Sequence, residues 1–579
     1  MRSIQAVTQT VWLALFAALL AVATACGAEP GGGSDTGSID RTSGTPPSSP
    51  QGELRVNLSG EPPTLDPNRA SFAASVTVLQ QLFDGLLTFQ PDMTLAPAVA
   101  KEIPSLQNGG ISKDLLTYTF KLRTDVKWSD GKPVTARDFE YSIKRMLDPK
   151  LAADYASTYY DIKGAQAYNT ALGTEAAPKQ GDDATLARLR DAIAVKATDD
   201  HTLVIELAQP RPTFLQLMAL WPVYPLRKDV IEAKGDEKWT EAGNLIGNGP
   251  FQLSEWVHQD HITLVPNPQY YGEQPKLAKI TLFMVTDANA DYAAYRNDER
   301  DMTEVPLPVV KQVLANPEQR KELIRFSELV TFAYLFNTKR APFDNPKVRL
   351  AFSKAINREA FVDKVSSGVG KPAYSWVPPG MPGYDEKLGK DLHAFDPAKA
   401  KQLLAEAGFA DVSKLPPVAF QYANAGANPI RAEFFQSQIK ENLGIEVKLE
   451  PMEPASFSKA VNAKQFQIAF YGWGADYPDP DNWLPDIFGT EGSQNAGQYS
   501  NPRFDAAVKQ AMAEPDNAKR LQLWGEAQKI MIEDAPIIPL IYRERFWLAK
   551  PSVKGLVTTP KDARIPGDKF LKKVWLDKR

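Results

Sequence analysis

An α/β fold is predicted for this chain by three observations. Strand patterns alternate with capped helices along its second half, 43% of the 579 residues are hydrophobic and 10% aromatic, and after the first 25 residues no apolar run is long enough to cross a bilayer. The length suggests about three to four domains. Lys and Arg number 66 against 70 Asp and Glu, for a net charge of −4. With no basic patch in the pattern, nucleic acid is excluded as a partner class.

The chain opens on Arg2 and the uncharged run Val11-Trp-Leu-Ala-Leu-Phe-Ala-Ala-Leu-Leu-Ala-Val-Ala23. That length suits a cleaved export signal over residues 1–25 rather than a membrane span. Small residues then lead into Cys26, the only cysteine of the chain. A lone thiol at this place points to lipidation, as in a bacterial lipoprotein, not to a disulfide. Residues 26–51 are almost all Gly, Ser, Thr, Pro and Asp and bury nothing. They form a tether with a reach of roughly 25–30 Å. Asp35-Thr-Gly-Ser38 spells an aspartic-protease signature, but that chemistry needs a second such carboxylate and the sequence has no second copy.

Sheet elements follow. Leu54 to Leu58, Thr117 to Arg123 and Thr202 to Leu207 alternate or run apolar. After the turn Trp128-Ser-Asp-Gly131, Thr135 stands three residues before Asp138, and Phe139, Ile143 and Met146 recur at helical spacing. That is a capping box and an amphipathic helix. Asp396-Pro397 opens a further helix and Gly408 closes it. A strand from Val418 to Tyr422, a helix from about Ile430 to Leu443 ended by Gly444, and a strand from Ile445 to Leu449 complete the alternation. A last strand, Pro536 to Tyr542, lies near enough to the end to cross back to an earlier domain.

Read in order, several segments resemble the extracytoplasmic peptide-binding proteins of ABC importers, solute-binding protein family 5. Gly60-Glu-Pro-Pro-Thr-Leu-Asp-Pro67 and Leu82-Phe-Asp-Gly-Leu-Leu87 look like the family's opening. Tyr118 to Phe139, including Trp128-Ser-Asp-Gly131, is similar to its signature. Gly247-Asn-Gly-Pro-Phe251, Phe336-Asn-Thr338 and Val348 to Arg358 continue the likeness over the chain from Gly52. The resemblance implies a two-lobed clamshell with an inserted domain. Lobe I would be residues 52–87, 222–331 and 538–579, the insert 88–221 and lobe II 332–537, with hinge crossovers near Phe332 and Ile538. It also implies a monomer that binds oligopeptides outside the cell membrane and delivers them to ABC permease subunits, with no cofactor, no metal and no catalysis.

The likeness further assigns a site in Tyr471-Gly-Trp-Gly-Ala-Asp-Tyr-Pro-Asp-Pro-Asp-Asn482. Asp476 would bind the peptide's α-ammonium between Trp473 and Tyr477, and a buried carboxylate is tolerable when such a charge matches it. Gly472, Gly474 and Ala475 would bring main chain to the ligand, and Pro478 and Pro480 would stiffen the loop. Ala73 matches a backbone-contacting position and Tyr155 an aromatic of the insert. Two positions depart from the family's enteric oligopeptide binders: Ser71 stands near an acidic position, and Phe470 where a basic residue three before the tryptophan helps meet a peptide carboxylate. Peptide length is therefore left open.

Asp476, Asp479 and Asp481 could be a calcium loop, but their spacing fits no EF-hand, and Asp479 and Asp481 suit turns better. His258 and His261 sit in an expected hairpin with its turn at Gln259-Asp260, which argues against a nickel-complex binder. An oligosaccharide binder is the nearer alternative, and Asp476 discriminates because a neutral sugar brings no ammonium. A secreted hydrolase lacks a nucleophile elbow and a free cysteine.

Overall fold

The computed structural model describes residues 45–174, 177–178 and 182–577. The export signal, Cys26, the Asp35-Thr-Gly-Ser38 decoy and the tether up to residue 44 lie outside the described residues.

The expected local elements form where their signals stand. Helix α1, Ala73–Leu82, follows the strand Glu53–Asn57. Helix α2, Ala136–Met146, starts on the Thr135 and Asp138 box and buries Phe139, Ile143 and Met146. In α3, Pro397–Glu406, the Asp396 side chain accepts from the Lys399 N–H. Helix α4, Asn428–Leu443, ends on Gly444 at φ 72°, the left-handed conformation that favours glycine. Helix α5, Asn517–Asp534, is capped by Asp516.

A four-stranded sheet orders Glu53–Asn57, Lys279–Phe283, His261–Pro266 and Phe251–Val257, the first pair parallel. A three-stranded antiparallel sheet is made by Thr117–Lys121, Thr202–Glu206 and Val195–Asp199. The His258 and His261 hairpin turns as expected, with Val257 opposite His261. His258 lies between Glu61 and Glu241, and His261 between Asp260 and Glu255.

The largest sheet carries the functional region. Its strands are β1 (Met302–Glu304), β2 (Leu323–Phe336), β3 (Val418–Ala423), β4 (Val447–Met452), β5 (Ile468–Gly474) and β6 (Ile537–Ala549). Their order is β1-β6-β2-β5-β3-β4, with Lys371–Pro372 added on β6. β3 and β4 are parallel and joined through α4, the crossover a parallel pair requires. β2 alternates its burial: Tyr334 and Phe336 enter one core and Ala333 and Leu335 another, so helices cover both faces.

β2 and β6 are long because they serve two bodies of core. Leu323 to Ser327 pair with Leu548 to Glu544, and Thr331 to Leu335 with Tyr542 to Ile537. Between Ser327 and Thr331 the register shifts. On one side of that break Ile324, Phe326 and Trp547 join the core of the two smaller sheets. On the other, Tyr334, Ile538 and Leu540 join the core around α4. The final strand thus runs seven residues beyond the expected Tyr542, because its charged stretch Arg543-Glu-Arg545 masks the apolar pattern while still pairing with β2.

Candidate functional site

β5 ends at Gly474 and the chain turns away from the sheet, so Asp476 sits just past a strand edge. Period-two alternation sorts β5. Tyr471 and Trp473 pack on one core, while Phe470, Gly472 and Gly474 face the other way. Gly472 is required by packing: a Cβ there would lie 2.3 Å from the Phe332 ring. Its missing side chain makes room for that ring.

What holds Asp476 is a reciprocal clip. Its backbone N–H donates to Asn482 Oδ1 at 2.8 Å, and Asn482 Nδ2 donates back to Asp476 Oδ2 at 3.2 Å. Tyr155 Oη donates to Asp476 Oδ1 at 2.8 Å. Burial, then the charge of Asp476, pushes the Tyr155 hydroxyl well above its ordinary range, so it stays a donor. Among the described residues no cation comes within ion-pair distance of Asp476, and its two hydrogen bonds come from neutral groups. Lys561 Nζ comes near, donating to the Ala475 carbonyl. Burial brings its ammonium down to about 8.

The loop is pinned elsewhere by charge. Arg520 makes a bidentate pair with Asp479 at 2.7 and 2.6 Å, both side chains buried. Asp479 also accepts from the Asp481 N–H at 3.2 Å, the expected turn bond. Asp481 accepts from Thr213 Oγ1 and lies 3.8 Å from Arg211. Arg211 donates to Tyr477 Oη at 3.1 Å and pairs with Asp161.

Ala73, Tyr155, Gly474, Ala475 and Asp476 line one cavity of about 310 Å³. Trp473 and Tyr477 stand apart from its wall. Trp473 packs into the core beneath β5, and Tyr477 is 1% exposed. The aromatic wall comes instead from Trp221, whose ring meets Tyr155 edge-on at 5.1 Å, with Tyr224 and Phe89 beside it. Lys561 and Lys569, from the carboxyl-terminal segment, also line it.

A second cavity of about 340 Å³ lies along β2, β5 and β6, with Arg543 in the walls of both. Phe332 and Phe470 stack there at 5.4 Å, and the Arg431 guanidinium sits 4.5 Å over Phe470. Phe470 itself brings no cation, but α4 places one on its ring. Arg431 donates to Asn428 and, among the described residues, has no carboxylate within ion-pair distance.

A mixed α/β architecture of sheets flanked by helices is that of the clamshell solute-binding proteins. The chain matches the model of bacterial extracellular solute-binding proteins, family 5 Middle, over residues 94–495, and it belongs to that family. It is 35% identical over 515 residues to the dipeptide-binding protein DppE of Bacillus subtilis (strain 168), covering 88% of this chain and 90% of that one. The structure of the Escherichia coli murein tripeptide-binding protein MppA superposes with a TM-score of 0.74 at 30% identity, over 91% of this chain and 99% of that one. Haemophilus influenzae OppA in complex with RPPGFSPFR gives 0.71 at 27% identity, over 92% and 100%. The family is one of extracellular solute-binding proteins, and these relatives are named for, or solved with, the peptides they bind. Among the described residues no helix is long and apolar enough to cross a membrane.

Proposed function

We propose that this protein binds peptides between its two bodies of core and hands them to the permease subunits of an ABC importer. The observation that carries this is Asp476, a carboxylate facing a cavity with two neutral donors and no cation in ion-pair range. A peptide ammonium supplies the missing ion-pair partner, and the main chain of Gly474, at the end of β5, offers strand-like bonds to an extended ligand. The relatives' names support the class and differ in peptide length. Native mass spectrometry of the purified protein tests it. Retained cargo with peptide masses is expected, and sugar or metal-complex masses would replace the reading.

The three-part division at residues 52–87, 222–331 and 538–579, 88–221, and 332–537 is retained as part of this proposal. Its hinge is placed at the register break over residues 328–330 of β2, opposite Arg543 of β6, a few residues from Phe332 and Ile538. Bending at a few strand residues closes such lobes.

A peptide's other end is negative, and Arg431 is the cation available for it on the far side of Arg543. Arg431→Gln is expected to weaken binding of an unmodified peptide by about 1.5–3 kcal/mol, the value of a charge-assisted hydrogen bond. The carboxamide form of the same peptide should bind both proteins alike by calorimetry.

The anchor at Cys26 and the tether belong to the same proposal and hold the protein at the outer face of the membrane as a monomer. Cys26→Ser is expected to move it from the membrane fraction to the soluble fraction. Persistence with membranes after a salt wash would show another anchor.

A further inference from the structure

Lys569 projects from the carboxyl-terminal segment into the wall of the cavity that holds Asp476. Its ammonium lies 5.5 Å over the Phe89 ring. Among the described residues it has no carboxylate within ion-pair distance and no hydrogen-bond acceptor. The neighbouring carboxylates are committed elsewhere. Asp568 accepts from Thr77 and from the N–H groups of Ala563 and Arg564. Asp84 accepts from both Tyr270 and Tyr271 hydroxyls. Asp562 is taken by Thr559 and by the Gly567 N–H, and burial followed by the charge of Asp568 pushes it well above the carboxylate range. Glu328, also in the wall, is paired with Arg543 and Arg545.

Once a ligand ammonium sits on Asp476, three ammonium groups share this cavity: the ligand's, that of Lys561 and that of Lys569. Asp476 is the one carboxylate of the wall left to face them. A low-dielectric cavity with that imbalance favours a ligand that carries an anion of its own close to its amino end. Phe89, Trp221 and Tyr224 add an aromatic stretch of wall that suits the methylene stem of such a group.

We propose that this cavity is a pocket for an acidic first side chain, whose carboxylate is received by Lys569, so that the protein selects peptides beginning with Glu or Asp. The proposal rests on the peptide reading and adds a preference to it. An ammonium standing over a ring in an apolar wall, with no acceptor of its own, is the group such a carboxylate completes.

Two peptide series, Glu followed by one to four alanines and Gln followed by the same alanines, are titrated calorimetrically at pH 7 into the full-length protein and into Lys569→Gln and Lys569→Arg. Glu-first peptides are expected to bind the unaltered protein at least tenfold more tightly than their Gln-first counterparts. Lys569→Gln should abolish that ratio, and Lys569→Arg should keep it. Equal or inverted affinities in the unaltered protein would overturn the proposal without need of any variant, as would a ratio that survives Lys569→Gln. Binding of Gln-first peptides alone leaves the peptide reading standing and the acidic pocket refuted. Absence of binding by both series refutes the two together.

Discussion

Asp476→Asn is expected to lower peptide affinity by about 3–5 kcal/mol, the cost of leaving a buried charge without its partner. At 1.4 kcal/mol per decade that is a loss of roughly two to three and a half orders of magnitude. The substitution keeps size and shape. Asn at this position can still accept from the Tyr155 hydroxyl, and its backbone N–H still donates to Asn482. Only the 3.2 Å bond from Asn482 Nδ2 is lost, where two amide N–H groups would face each other, so unfolding should shift by about 1–2 kcal/mol while calorimetric affinity collapses. An affinity unchanged within threefold would remove Asp476 from the site, whatever else binds there.

Arg520→Met is expected to destabilise the protein by about 3–5 kcal/mol, because it strands the Asp479 carboxylate in a buried position. Asp479 takes both of its strong bonds from that one guanidinium. Its remaining bond, from the Asp481 N–H, cannot replace them. Asp479→Asn introduced into Arg520→Met removes the stranded charge and should recover most of the loss, which urea unfolding of the four proteins measures as a double-mutant cycle. The loop from Ala475 to Asn482 shares this anchor, so Arg520→Met should also weaken peptide binding. A variant as stable as the parent would show that the ion pair does not hold the loop.

The α/β class and several helix limits were legible because their causes are local. Thr135 and Asp138, Asp396 with Pro397, and Gly444 each act within a few residues of themselves. Asp476 was reached through likeness to a family, and its clip to Asn482 lies only six residues away in the sequence. The rest of the site has no local signature. Trp221, Arg211, Lys561 and Lys569 reach the cavity or its loop from distant segments, and a charge that finds its setting across hundreds of residues leaves no periodic trace. The placement of Trp473 was accessible in principle. Alternation along β5 sends it with Tyr471 toward the core and leaves Phe470, Gly472 and Gly474 facing the other way. Tyr477 was read as a ligand neighbour from its place beside Asp476, yet the turn after β5 folds it into a core where Arg211 caps its hydroxyl.

The electrostatic character of the site follows from the same wiring. Asp479 and Asp481 have cations nearby in Arg520 and Arg211. Asp476, a few residues earlier, is directed by a phenol and an amide and has no cation within ion-pair distance among the described residues, the Lys561 ammonium acting on it only at longer range. An acid oriented this way is prepared for a cationic ligand group at little reorganisation cost.

On the proposed reading, Asp476 awaits a free α-ammonium. Titrating the unaltered protein with matched peptides, one with a free amino terminus and one acetylated there, tests it most directly. Acetylation is expected to weaken binding at least a hundredfold, and equal affinities for the two forms would rule out recognition of the amine by Asp476.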